Sequence, residues 1–155
     1  MKIKFFLIIL LSLMLLSCGS KEAFVNQAEA EYLNNGDNSG KPFCEAVRVG
    51  NMLYLSGQLG VDPKTGSLVT GGIAAETKQT MENIKTTLER FGSSLDQVVK
   101  CTVMLADIAE WQEMNKVYVT YFPNHLPARS AFGTSGLAMG ARLELECIAT
   151  VKQRP

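Results

Sequence analysis

The stretch that decides the fold reads Leu143-Glu144-Leu145-Glu146-Cys147-Ile148-Ala149-Thr150-Val151-Lys152. Apolar residues occupy its odd-numbered positions, and successive side chains of a β-strand point to opposite faces of the sheet. The odd-numbered residues therefore predict a side that faces a core. The other side combines two carboxylates, Glu144 and Glu146, with Ile148. Two interpretations of that second side stay open: a solvated face, or an interface that contains a polar site.

Short apolar runs upstream of this strand, bounded by turn residues, predict four more strands. They cover residues 43–49, 52–59, 98–106 and 128–132. Gly50-Asn51 suits a hairpin turn between the first two strands. A second turn is predicted at residues 62–66, which read Asp-Pro-Lys-Thr-Gly and place proline and glycine where turns favour them.

Two helices are predicted between these strands. Residues 74–91 carry apolar side chains every three or four positions, and Gly92 suits the end of that helix. Asp107 is a predicted cap for the second helix, with Glu110 three residues on as in a capping box. The apolar stripe of that helix consists of Trp111, Met114, Tyr118, Tyr121 and Phe122. This order of elements predicts an α+β fold, a mixed sheet with two helices packed on one face.

Arg129, in the run Leu126-Pro127-Ala128-Arg129-Ser130, is the leading candidate for a functional residue. A guanidinium binds a carboxylate through two parallel hydrogen bonds, which fixes orientation as well as charge. We expect Arg129, at the start of a strand, to face Glu146 on a neighbouring strand. That pair would suit a small carboxylate substrate and a water molecule to be activated. The alternative is that Arg129 is a structural ion-pair partner and Glu146 a surface carboxylate.

The amino-terminal segment resembles a bacterial lipoprotein signal. A basic start is followed by an apolar run, residues 5–16, that is too short to span a bilayer. It ends in Leu15-Leu16-Ser17-Cys18, where Cys18 would be lipidated and would anchor the protein to a membrane of the cell envelope. The alternative is an ordinary secretory signal with a chance cysteine. We expect three segments: signal peptide 1–17, a lipidated tether 18–40 with a helical turn near residues 28–33, and one domain, 41–155.

Composition restricts the partners. The chain has 15 Lys plus Arg and 15 Asp plus Glu, so it lacks the basic excess typical of nucleic-acid-binding proteins. Beyond Cys18, three cysteines remain: Cys44, Cys101 and Cys147. Cys101 and Cys147 lie in apolar strands, so we interpret them as buried small hydrophobic residues, although an envelope protein could pair two of the three cysteines in a disulfide that the sequence does not place.

Several blocks across residues 41–153 resemble, in order, those of the RidA family, also called YjgF. They are Lys41-Pro42-Phe43-Cys44-Glu45-Ala46-Val47, Ser56-Gly57-Gln58, Asp62-Pro63-Lys64-Thr65-Gly66, Met114-Asn115-Lys116-Val117-Tyr118, Pro127-Ala128-Arg129-Ser130 and Leu145-Glu146-Cys147-Ile148-Ala149. The resemblance implies a chorismate-mutase-like fold and a homotrimer whose sheets form a central barrel. It implies three sites, each in a cleft between subunits.

The resemblance also implies an activity: hydrolysis of reactive 2-imino and enamine acids of the 2-aminoacrylate type to 2-oxo acids and ammonia, with no cofactor and no metal. Arg129 would hold the substrate carboxylate, and Glu146 would position or deprotonate the attacking water. Phe43, Ser56, Gly57, Asn115 and Ala131 would line the pocket.

Departures from the family pattern leave alternatives. Phe43 stands where active members have tyrosine, and Ala131 stands where many have cysteine; Cys44 and Glu45 replace a Ser-Gln pair. A non-catalytic protein that binds small carboxylates, such as 2-oxo acids, is therefore a second hypothesis. Ribonuclease activity, attached to some family members, is a third. Neutral charge and a single histidine, His125, argue against it.

Overall fold

The computed structural model describes residues 28–36 and 40–151, which form one mixed sheet, a small hairpin and two α-helices. The main sheet has the strand order β1-β2-β3-β8-β6-β7. Its strands are β1 Ala30–Leu33, β2 Ala46–Val49, β3 Met52–Leu55, β6 Val98–Leu105, β7 Ala128–Gly133 and β8 Leu143–Thr150. Only the β6–β7 pair is parallel; the other pairs are antiparallel. The predicted α+β fold with a mixed sheet is therefore confirmed.

The helices are α1, Gly72–Arg90, and α2, Trp111–Tyr118. Both pack on the face of the sheet that carries the odd-numbered side chains of β8, as the sequence predicts. The largest fully buried side chains of this core come from both helices and from β3, β6 and β8: Leu53, Met81, Ile84, Leu88, Leu105, Met114, Leu143 and Leu145. We call this side the helix face and the other side the open face.

Local signals explain where the helices begin and end. Gly92, just after α1, has a φ of 82°, a conformation that glycine adopts without steric cost. Asp107 accepts a hydrogen bond from the Ala109 amide and so caps a short 3-10 turn that leads into α2. Glu110 does not complete the predicted capping box; its carboxylate pairs with Arg142 instead.

The second predicted turn is also confirmed. The amides of Thr65 and Gly66 donate to the carbonyl of Asp62 at 3.2 Å and 2.9 Å. This turn joins two short strands, β4 Val61–Asp62 and β5 Ser67–Leu68, into a hairpin that the sequence analysis did not predict.

The predicted helical turn near residues 28–33 is wrong. Ala30–Leu33 is an edge strand that pairs antiparallel with β2, from Ala30 opposite Val49 to Leu33 opposite Ala46. Hydrogen bonding to an available sheet edge outweighs the weak helical preference of a four-residue segment. Part of the segment predicted as a tether thus belongs to the sheet, while the predicted signal peptide and the predicted lipidation site Cys18 lie outside the described residues. Neither helix in residues 28–36 and 40–151 is long and apolar enough to cross a membrane.

The expectation that Arg129 faces Glu146 on a neighbouring strand is wrong for a single chain. Strand β6 lies between β7 and β8, because the connection through α2 returns the chain parallel to β6 at its free edge. Arg129 pairs with Cys101, whereas Glu146 pairs with Thr102. Neighbouring residues of a strand point to opposite faces. Arg129 therefore points to the helix face and Glu146 to the open face.

Candidate active site

The side chain of Arg129 lies between β7 and helix α2. Its Nη1 donates a hydrogen bond to Oδ1 of Asn115 at 2.6 Å. Its guanidinium carbon lies 4.7 Å from the ring centroid of Tyr118 and 5.7 Å from that of Trp111. Both distances are within the range of cation–π attraction. The guanidinium is therefore held by one amide and two aromatic rings.

The spacing of the three α2 residues explains why they meet at Arg129. Trp111, Asn115 and Tyr118 are separated by four and then three positions, so they share one face of the helix. Tyr118 is buried beneath the guanidinium, and Trp111 remains partly exposed at the rim. Burial is the main reason that the pKa of the Tyr118 hydroxyl is raised above its usual value, and Cys101 adds to the effect. The ring therefore stays neutral and available for the cation.

A cavity of about 340 Å³ opens beside this cation. Its lining consists of Asn115, Tyr118, Val119, Leu126, Pro127 and Arg129. Arg129 is the one formal charge in this lining, and no carboxylate among the described residues forms an ion pair with it. The guanidinium uses one of its N–H groups on Asn115 and keeps others for a ligand. Such a cation in a mostly apolar cavity attracts a small anion, and its planar shape favours a carboxylate.

A second group of predicted site residues lies on the open face, along β8 and the end of β3. Glu146 is exposed there, and Glu144 is half-buried. A Cβ atom built on Gly57 would lie 1.9 Å from Oε1 of Glu144, so a larger residue at 57 would force the Glu144 side chain to move. The chain around Gly57 is fixed by paired hydrogen bonds between Gln58 and Leu145, at 2.9 Å and 3.0 Å. The open face thus carries two carboxylates beside a backbone segment that is held in place by hydrogen bonds.

The remaining predicted residues divide between the two groups. Ser56, beside Gly57, donates its hydroxyl proton to the carbonyl of Cys44 at 2.7 Å. Phe43 is exposed just before β2. Ala131 is two residues beyond Arg129 on β7 and packs against the core. One chain therefore brings together Arg129, Asn115 and Ala131 on one side of the sheet, and Ser56, Gly57 and Glu146 on the other.

The sequence pattern does not identify the residues that line the cavity. Tyr118, which lines it, belongs to the predicted apolar stripe of the second helix, and Trp111 from the same stripe lies over the guanidinium but is not part of the lining. The spacing of Trp111, Asn115 and Tyr118 was an available signal, because a polar amide in an aromatic stripe is out of place in a plain core. Glu45, one of the departures from the family pattern, pairs with Arg90 at 2.6 Å, so it ties β2 to the end of α1.

Comparisons with known proteins agree with this arrangement. Residues 37–151 match the model of the family described as "Endoribonuclease L-PSP". A protein of Mus musculus named 2-iminobutanoate/2-iminopropanoate deaminase is 44% identical over 108 residues, which are 70% of this chain and 80% of the relative. Its counterpart of the same name in Bos taurus is 46% identical over 108 residues, 70% of this chain and 79% of the relative.

Solved structures match as well. The crystal structure of RidA from an Antarctic Psychrobacter species superposes with a TM-score of 0.69 at 35% identity, covering 81% of this chain and 98% of the other. The crystal structure of yeast Mmf1 gives a TM-score of 0.70 at 34% identity, covering 81% and 98%. The family model spans most of the chain, and strands β2 to β8, the two helices and the Arg129 pocket all lie within the matched residues. The chain belongs to the RidA family, also known as the YjgF or L-PSP family.

Proposed function

We propose that this protein hydrolyses 2-imino and enamine acids of the 2-aminoacrylate type to 2-oxo acids and ammonia. The observation that carries the proposal is the guanidinium of Arg129. It opens into a cavity of about 340 Å³ without an ion-pair partner among the described residues. Such a site binds the carboxylate that every substrate of this class carries. The names of the mouse and bovine relatives, both imine deaminases, support the same reaction.

The proposed site is completed by a second copy of the chain. Arg129 and Glu146 point to opposite faces of one sheet, so a single chain cannot place both around one small substrate. The open face carries Tyr54 and Phe132, which are 43% and 46% exposed, and contact between copies would bury them. A homotrimer would let the Arg129 cavity of one protomer meet Gly57 and Glu146 of the next.

The chemistry then follows from position. An enamine first becomes the imine by gaining a proton on its β-carbon and losing one from nitrogen. With the substrate carboxylate on Arg129, a water oxygen attacks the carbon of the C=N bond while Glu146 accepts a water proton and the nitrogen takes a proton from solvent. Glu146 then returns its proton to the nitrogen of the resulting aminoalcohol, the carbon–nitrogen bond breaks to release ammonia, and the hydroxyl loses its proton as the carbon–oxygen double bond of the 2-oxo acid forms. Asn115 contributes by fixing the guanidinium through its 2.6 Å hydrogen bond. Fixed geometry of this kind lowers the entropic part of the barrier.

A coupled assay tests the proposal. An amino-acid oxidase generates the imino acid in place, and the rate of 2-oxo acid formation is followed with and without the protein. Faster release of the 2-oxo acid is expected in proportion to protein concentration.

A binding protein without turnover is the alternative. It is supported by Phe43, which stands where the family pattern has tyrosine, and by Ala131, which stands where many members have cysteine. Calorimetric binding of 2-oxobutanoate together with no acceleration of hydrolysis would favour that alternative.

We further propose that Cys18 carries a lipid that holds the trimer on the surface of a bacterial membrane. The support is the sequence pattern alone, an apolar run that ends in Leu15-Leu16-Ser17-Cys18. Several acyl chains on one residue anchor a protein stably. In cells fed a labelled fatty acid, the wild-type chain should become labelled and sediment with membranes, and Cys18→Ser should do neither. A Cys18→Ser chain that keeps both label and sedimentation would contradict the anchor.

A further inference from the structure

Two cysteine thiols meet in the core directly behind the Arg129 cavity. Cys101 on β6 and Cys147 on β8 are paired across the antiparallel strands, and their sulfur atoms lie 3.1 Å apart. Their side chains are 0% and 1% exposed. On its other side, Cys101 is in register with Arg129 on β7. The pair thus connects the middle of the sheet to the residue that forms the anion site.

The backbone positions suit a covalent bond between these sulfurs. Directly opposed residues of antiparallel strands have Cα atoms about 4.5 to 5.5 Å apart, and disulfides span about 4.4 to 6.8 Å. The sulfurs need to move together by about 1 Å to reach the bonded distance of about 2 Å. Cys44 is different. Cys44 precedes β2, and β2 lies two strands away from the β8 strand that carries Cys147. That separation is roughly 10 Å in the plane of the sheet, which is too far for a disulfide bond.

The environment makes the two thiols unequal. The pKa of Cys101 is lowered, chiefly because the Cys147 thiol hydrogen-bonds to its sulfur, and burial opposes this effect. Tyr118, Arg129 and Lys100 lower it further. The pKa of Cys147 is raised by the same hydrogen bond and by burial. Cys101 is therefore the thiol that ionises first, and the thiolate is the reactive form in oxidation and exchange.

We propose that Cys101 and Cys147 are a redox-active dithiol, which a hydroperoxide converts into an intrachain disulfide behind the Arg129 cavity. The Cys101 thiolate attacks a peroxide oxygen, the O–O bond breaks, and hydroxide leaves, giving a sulfenic acid at Cys101. The sulfur of Cys147 then attacks that of Cys101; the S–S bond forms, the S–O bond breaks, and the oxygen departs as water. Two thiols and one hydrogen peroxide thus give one disulfide and two waters.

The cavity supplies a short path for the oxidant. Arg129 and Tyr118 line it; Arg129 is in register with Cys101 on the neighbouring strand, and Tyr118 belongs to the same buried cluster as Cys101. Hydrogen peroxide is close to water in size, so it needs only a small rearrangement of these side chains to reach the sulfur. The resulting disulfide would bond β6 to β8 and replace the Cys101 thiol that lies in register with Arg129. The proposal is independent of the deaminase reaction.

Peptide mapping of the full chain tests the dithiol. The protein is treated with hydrogen peroxide, remaining thiols are alkylated in denaturant, and the chain is digested with trypsin without reduction. Cleavage after Lys and Arg places Cys101 on the peptide 101–116 and Cys147 on 143–152. The expected product is these two peptides joined, at a mass lower by two hydrogens, in most of the chains. Dithiothreitol should separate them again.

Three variants serve as controls. Cys101→Ala and Cys147→Ala should each abolish the joined peptide, whereas Cys44→Ala should leave its yield unchanged. The wild-type map alone already decides the question if a core variant fails to fold. The proposal is overturned if both peptides remain fully alkylated after peroxide, if Cys44 is the partner in the cross-link, or if Cys101 accumulates as sulfinic acid without a cross-link.

Discussion

Arg129→Ala is expected to lower kcat/KM for imino acid hydrolysis by at least about 100-fold. A hydrogen bond to a charged group contributes about 1.5 to 3 kcal/mol, and the guanidinium offers two to a carboxylate. Each 1.4 kcal/mol corresponds to about tenfold in rate. The variant also leaves the cavity without any formal charge, because no other lining residue carries one. The coupled oxidase assay with purified variant measures the change.

Two matched variants separate this effect from a loss of charge or of fold. Arg129→Lys keeps the charge but loses the planar fork, so an intermediate rate is expected. Lys116→Ala removes one positive charge from the same helix as Asn115; this lysine is exposed and pairs with Glu113, and its variant should keep the wild-type rate. Thermal unfolding of all three verifies the fold. Wild-type activity in folded Arg129→Ala protein would contradict the assignment of the anion site.

Glu146→Gln is the second variant with a large expected effect. An amide has nearly the shape of the carboxylate but cannot accept the water proton. General base catalysis contributes about 10²- to 10⁴-fold, so kcat should fall within that range. The affinity for 2-oxobutanoate should change little if, as proposed, Arg129 holds the ligand. Kinetics and calorimetry on the same protein give the two readouts.

Glu144→Gln distinguishes the two carboxylates of the open face. Glu144 lies against Gly57, whereas Glu146 is exposed and opposite Thr102. If Glu146 accepts the proton, Glu144→Gln should reduce kcat far less than Glu146→Gln does. Glu113→Gln, on the exposed side of α2, serves as the variant expected to be unaffected. Equal losses at 144 and 146, or a larger loss at 144, would show that the base has been assigned wrongly.

The fold was predictable where local patterns decide it. Apolar residues alternate along β8 and recur every three or four positions along α1, which identifies the buried side of each element. A shift of the β8 register by one residue would turn all of its apolar side chains to the opposite face. The order of strands was not predictable in this way. Strand β7 could pair with β8 or with the free edge of β6, depending on how the connection through α2 packs. The sequence of neither strand contains a pattern that predicts this packing. The directions of the Arg129 and Glu146 side chains depend on this strand order, so they were not predictable either.

The candidate site was predictable as a set of residues rather than as a geometry. The resemblance selected Arg129, Asn115 and Glu146, and the structure joins only the first two in one chain. Trp111 was assigned to a core stripe, because an aromatic residue at helical spacing is apolar in the pattern whether it packs inward or on a cation. Strand β1 was missed since four residues form a strand only beside an existing edge.

The central claim is that adjacent protomers share one site, and mixed trimers test it most directly. Arg129→Ala and Glu146→Gln chains are co-expressed in equal amounts and purified together. If each site takes Arg129 from one protomer and Glu146 from the next, every mixed trimer regains one intact site. Random assembly then restores about a quarter of the wild-type activity, although each variant alone is expected to keep no more than about a hundredth of it. Activity no higher than that of either variant alone, in protein shown by native mass spectrometry to contain mixed trimers, would contradict the shared site.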